Sequence, residues 1–325
     1  MVETRAHKYQ SGDAATRSAT HKAAPKGAAA GKSETVAGGL GTAKREPAAA
    51  PAPGHGAAQP AGAATDTIEQ GLIYFFFRPK VEHETAQGMA DVQRAYVVLR
   101  PTDEALHGAR CRLLLVPRKT FAGAGGRLLA LVQEPAATVA EVRAHLAAST
   151  YETKSLGERH LPPARPICEG VYVLSRTAQG AARTELSYKI TVPAQPSAVE
   201  RDFAIEHAGR FVVSARNPLN EPPAGMAMAM PAPHYPSALQ DKFNNHRWTA
   251  LTPEHLGYKN TQVLFIATKH GLDALADEPY ADILRLDNEN HSRLASEAAA
   301  APSPGVAAAL DGLTAVGGAG GSTWD

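Results

Sequence analysis

The sequence predicts an α+β, mainly β fold: an antiparallel sheet or barrel-like domain of about eight strands with a few short helices, flanked by disordered tails. Short apolar runs recur between Leu72 and Ala267, the first three stopped by Arg-Pro or Pro. Helix signals are few, and too few for a doubly wound parallel sheet. Neither G-x-G-x-x-G nor G-x-x-x-x-G-K-[ST] occurs, so the nucleotide-binding α/β fingerprints do not apply.

Leu72–Phe77 (LIYFFF) is a six-residue apolar run halted by Arg78-Pro79, which reads as a strand buried on both faces. Ala95–Leu99, Arg112–Val116 and Leu128–Val132 follow, the last opened by the glycine-rich turn at Gly123–Gly126; together they form a meander of antiparallel pairs. Thr138-Val-Ala-Glu141 is a capping box, and Val139, Val142 and Leu146 then share one helix face. A Pro-rich connector, Leu161–Pro166, leads to a strand at Gly170–Ser175. Glu185–Val192 alternates with period two, which places Leu186, Tyr188, Ile190 and Val192 toward a core and the intervening residues toward water. A second capping box, Ser197-Ala-Val-Glu200, opens a short helix, and Arg210–Ala215 is the next strand. The Pro/Met/Ala-rich stretch Leu219–Ser237 is a long loop; Thr252-Pro253 starts a short helix; Gln262–Ala267 is the last strand; Asp273–Leu286 is helical.

Residues 1–65 are rich in Ala, Gly and Pro and hold almost no branched apolar side chains, so they cannot offset the entropy cost of ordering. This predicts a disordered basic tail over 1–65, one strand-rich domain over 66–286, and a helical-to-disordered acidic Ala/Gly-rich tail over 287–325. Residues 1–65 carry eight Lys/Arg against four acids, and residues 286–325 carry one Arg against five acids, whereas the middle is nearly neutral. A neutral body is not a strong phosphate-binding surface, though the basic arm offers a weak contact to nucleic acid or an acidic protein. The opening residues hold no apolar stretch and no run reaches transmembrane length, so neither a secretory signal nor a membrane partner is expected; an organellar transit peptide stays open. Two cysteines, Cys111 and Cys168, lie in or beside apparent strands and read as buried free thiols.

Candidate chemistry is thin. Glu82-His83-Glu84 sets three possible ligands in a row, but neighbours on an extended chain point to opposite faces, so no metal site is expected. Ser175, Ser187 and Ser214 sit on strands outside any G-x-S-x-G elbow, which leaves catalytic residues unassigned. The stiff loop Thr153–Glu169 presents Lys154, Arg159, His160, Arg165 and Glu169, suited to clamping an anion or to acid–base work; the plainer reading is a solvated crossover. Arg78, Lys80, Arg118 and Lys119 stop the first and third strands of the meander, which end on one edge, so they either form a basic anion-binding rim or snorkel along the sheet. Met226, Met228 and Met230 form a flexible apolar contact surface or a mobile loop.

The phrases YFFFRPKVEHE (Tyr74–Glu84), DVQRAYVVLRP (Asp91–Pro101), TKSLGERHLPPARPICEGVY (Thr153–Tyr172) and NNHRWTALTPEHLGY (Asn244–Tyr258) resemble a mainly fungal family of uncharacterised proteins, some labelled "BTB domain transcription factor". The resemblance covers roughly Glu69–Thr268 and implies nuclear or chromatin association, but no catalytic residues. The leading expectation is therefore a non-enzymatic binding or interaction protein, nuclear or cytoplasmic, with no cofactor and with an unidentified protein partner. The alternative is a small-anion-binding protein or enzyme using Arg159, His160 and Glu169.

Overall fold

A computed structural model describes residues 65–300, apart from 84–85, 103–109, 156, 178–181 and 222–229 and the side chains of 298–300. The two predicted tails, except for Thr65 and the stretch 287–300, and the methionines Met226 and Met228 lie outside the described residues.

Eight strands close into an antiparallel barrel. In chain order the strands are β1 (Thr65–Pro79), β2 (Val92–Pro101), β3 (Cys111–Val116), β4 (Arg127–Ala137), β5 (Ser149–Thr153), β6 (Gly157–Leu161), β7 (Arg165–Thr177), β8 (Arg183–Val192), β9 (Ala208–Arg216), β10 (Trp248–Ala250) and β11 (Gln262–Ala267). Strands β1–β4 form the expected meander, and β7, β8 and β9 form a second one that starts on the far side of β1. β11 fills the remaining gap by pairing with β4 on one edge and β9 on the other, while β8 pairs with β9. All eight apolar runs read from the sequence are barrel strands. β5 and β6 form a separate hairpin, and β10 is a short addition to β9.

Alternation along each strand decides what fills the barrel. On β1, Ile73, Phe75 and Phe77 point inward, with Val97 and Leu99 of β2, Leu186 and Tyr188 of β8, and Phe211 and Phe265 beside them. Leu72, Tyr74 and Phe76 point outward and are equally buried, because helices α1 (Val139–Leu146) and α4 (Asp277–Ala300) cover that wall through Val142, Leu146, Ile283 and Leu286. This accounts for an apolar run with no polar face. It also corrects the reading of β8. Leu186, Tyr188 and Ile190 do face the core, but Ser187 and Thr191 on the opposite face are buried too. There Asp287 of α4 accepts from Thr191 Oγ1 at 2.8 Å and pairs with Lys189. Both capping boxes form: Thr138 caps α1 and Ser197 caps α2 (Ala198–Asp202), each exchanging bonds with the Glu three residues on.

Two local expectations are revised. The stretch after Thr252 is a single 3-10 turn at His255–Gly257, held by the Thr252 side chain rather than continued as a helix. Within Thr153–Glu169, the part read as a loop contains β6 and the start of β7. Strands β5 and β6 lack the apolar alternation that announces a strand, since their residues are exposed or half-buried. A short helix α3 (Ser237–Gln240) follows the Pro-rich loop.

Candidate functional site

The nine candidate residues from the sequence go to separate places. Strands β1 and β3 both run antiparallel to β2, so they do finish at one end of the barrel, here called the upper end. Lys80 and Arg118 are exposed just beyond those strands, and Lys119 is half-buried in a left-handed turn conformation (φ 68°). Arg78 does not join them. Its guanidinium lies on the outer wall, donating from Nη1 to the carbonyls of Ala147 (3.0 Å) and Pro162 (2.6 Å) and from Nη2 to that of His145 (2.6 Å). The His145 and Ala147 carbonyls sit at the C-terminal end of α1, where helix carbonyls lack intrahelical partners, and that of Pro162 lies in the β6–β7 connection. Arg78 thus stitches the end of α1 to the β6–β7 connection.

Arg159 and His160 lie on the outer hairpin. Glu82, in a left-handed conformation at the turn after β1, reaches across to it: Oε1 accepts from the His160 backbone N–H at 2.8 Å and lies 3.4 Å from Arg159 Nε. Lys154 is exposed at the hairpin tip, and Arg165 is half-buried at the first position of β7. Glu169 is elsewhere again, on the wall under α4, 1 % exposed and paired with Arg293. Burial pushes its carboxyl up to about 7, against the pull of Arg293.

The barrel itself holds the concave features. At its upper end a mouth of about 70 Å³ opens between the β3–β4 turn, the start of β9 and the chain after β11. Its walls are mostly small residues or backbone, among them Ala122, Ala124, Ala208, Gly209 and Gly271, while Lys269 and His270 stand exposed at its lip. At roughly 10–15 Å³ per water, that space admits about five waters or one single-ring molecule. The floor of the mouth is Tyr188 and Phe211, whose rings stack at 6.0 Å and 12°. The same two rings line a second, apolar void of about 20 Å³ inside the barrel. Five aromatic rings run across that void in sequence. Phe121 meets Phe75 at 5.1 Å, Phe75 meets Tyr188 at 5.6 Å, and Phe211 meets Phe265 at 5.7 Å. An eight-stranded barrel is just wide enough either to be filled by side chains or to hold one small ligand, and this interior is close to filled.

A single glycine makes the floor possible. A Cβ at Gly209 would lie 2.4 Å from Cε1 of Tyr188, so only glycine lets that ring lie flat over the β9 backbone. The Tyr188 hydroxyl donates to the Glu206 carbonyl at the rim, at 3.0 Å. Burial pushes its phenol well above the ordinary range, so it stays a neutral donor at any physiological pH.

A buried polar cluster occupies the lower end. Glu69 Oε1 accepts from Arg112 Nη1 at 2.5 Å and from the Tyr172 hydroxyl at 2.7 Å, and the Glu69 and Arg112 side chains are 0 % and 7 % exposed. A buried ion pair gains little net stability, but removing either partner strands a charge in an apolar interior. Below it Tyr235, Phe243, His255 and Tyr258 form an aromatic plug. His255 Nδ1 accepts from the Thr252 N–H at 3.1 Å, which leaves the ring proton on Nε2, edge-on to Tyr235 and Phe243 with no hydrogen-bond partner. Burial drives its pKa down to about 4.

From the sequence Tyr188 reads only as inward-facing, and nothing singles out Gly209, Lys269 or His270. A backbone-lined mouth carries no motif; the one available signal was a glycine inside a strand segment, which marks close approach of another group.

No family model matches the chain, and no curated protein or solved structure matches it either. Among the described residues no helix is long and apolar enough to cross a membrane.

Proposed function

We propose that this chain is a non-enzymatic binding protein whose barrel mouth takes a small amphiphilic anion. The observation that carries the reading is the mouth itself: an open recess with an aromatic floor, walls of alanine and glycine, and Lys269 and His270 at its lip. Small walls let a flat or linear apolar group reach the Tyr188–Phe211 pair, and the lip supplies positive charge for a single anionic head. Glu206 lines the same recess, which disfavours a head of higher negative charge. Small-anion binding was the alternative reading of the sequence; here it moves from the Arg159–His160 segment to the barrel end. The basic arm and the Met226/Met228 segment, which motivate the interaction reading, lie outside the described residues.

Titration calorimetry of the full chain with short straight-chain carboxylates and with the corresponding alcohols tests this. The carboxylates bind and the alcohols bind at least tenfold more weakly. Lys269→Glu removes most of that preference. Absence of heat with every carboxylate refutes the proposal.

A further inference from the structure

We infer that Tyr188 is a gate that sets how deep the apolar part of a ligand can enter the barrel, so that the ligands are amphiphiles selected by tail length. The inference rests on the mouth being the ligand site.

The mouth and the inner void have Tyr188 and Phe211 in common, so this ring pair is the wall between them. Beyond the wall the lining is hydrocarbon: Phe75 and Phe121, then Ile73, Leu99, Leu128 and Leu186. An apolar tail that passes the wall gains burial at every methylene and meets no polar group that it must desolvate. Both rings are buried, Tyr188 at 3 % and Phe211 at 7 % exposure; Phe211 packs edge-on against Phe265, and Tyr188 stacks on Phe211 and tilts against Phe75. Tyr188 is fastened at the rim by one hydrogen bond, from its hydroxyl to the Glu206 carbonyl, and its ring rests on the bare backbone of Gly209. Moving the ring breaks that one hydrogen bond and its packing on Phe75 and Phe211. Swinging that ring toward the mouth joins the two spaces, and the end of the tail then occupies the inner void.

The experiment measures affinity across a series of straight-chain carboxylates of increasing length, for wild type, Tyr188→Ala and Tyr188→Leu, each first shown to melt cooperatively. In wild type, affinity rises with the first methylenes and then levels off. In Tyr188→Ala the rise continues to longer chains, each additional methylene tightening binding roughly fourfold, the equivalent of about 0.8 kcal/mol. Tyr188→Leu, which keeps the site apolar with less volume lost, moves the levelling point by fewer methylenes and stands in if the alanine variant does not fold. A levelling point unchanged in the variants overturns the gate and leaves the mouth as the ligand site. No binding at any length, in wild type and variants alike, overturns both.

Discussion

Glu169 and His255 are both removed from water by folding, and burial pushes both toward the neutral form, which moves their pKa values in opposite directions. For Glu169 the folded value, about 7, is above the unfolded one. Its contribution to stability is therefore fully present below the unfolded value and is lost as pH rises through 7. For His255 the folded value, about 4, is below the unfolded one, so its contribution is present above about 6.5 and is lost as pH falls through 4. Between those limits the two slopes oppose each other. Glu169→Gln is expected to remove the first: urea midpoints that decline in wild type from about pH 6.5 toward pH 8 become flat, the upper part of an effect that totals at most about 3 kcal/mol. In the same variant the acid-side decline owed to His255 is unopposed, so stability falls steadily from about pH 6.5 to pH 4. An unchanged slope above pH 6 in Glu169→Gln contradicts the assignment. None of this was legible in the sequence. In the sequence Glu169 reads only as the last residue of a stiff loop, while its charge partner, Arg293, lies 124 positions away on a helix. His255 drew no notice, because only its aromatic surroundings make it unusual.

The elements were legible where their ends are chemically marked. Most barrel strands are legible as short apolar runs, several stopped by Pro or Arg-Pro, and β8 by its alternation; both capping boxes form where Ser or Thr precedes Glu by three. The β5–β6 hairpin was missed because it is held by its turn and by Glu82 rather than by apolar burial. Arg78 was read correctly as a strand-end cation but not as the clamp of α1. Arg78→Lys is expected to cost about 3 kcal/mol in urea unfolding, since an ammonium cannot reproduce the guanidinium fork and leaves buried carbonyls of His145, Ala147 and Pro162 without donors. A loss below about 1 kcal/mol counts against the clamp. Helix α4 continues past Leu286 and fastens to the barrel beyond that point through Asp287 and Arg293. Ending the chain after Leu286 leaves Lys189 and Glu169 without those partners; the shortened chain is expected to unfold at a distinctly lower temperature than one ending after Ala300, by several kcal/mol of stability. Similar melting of the two shows that the helix end is dispensable.

At the scale of the molecule, strand count and alternation were readable, but closure was not. Nothing in Gln262–Ala267 declares that it pairs with both Leu128–Leu131 and Phe211–Ala215, because backbone ladders carry no address and the inward residues are uniformly apolar. The β1–β7 ladder joins Ile73 to Gly170, and β11 joins β4 across a still longer span of sequence. Such non-local pairing predicts refolding on the millisecond-to-second scale in stopped-flow fluorescence, where a helical bundle would need microseconds.

The position of β11 also bears on how the chain is made. A ribosome releases the chain from its beginning, so β1–β4 and β7–β9 emerge before the strand that unites them. Until Gln262–Ala267 leaves the exit tunnel, the nascent sheet has two bare edges, β4 and β9, with Phe211 and Val213 facing an open trough. Translation halted between Arg216 and Gln262 therefore yields a product that is sticky by construction, and chaperone capture of such stalled chains should fall sharply once β11 has cleared the tunnel.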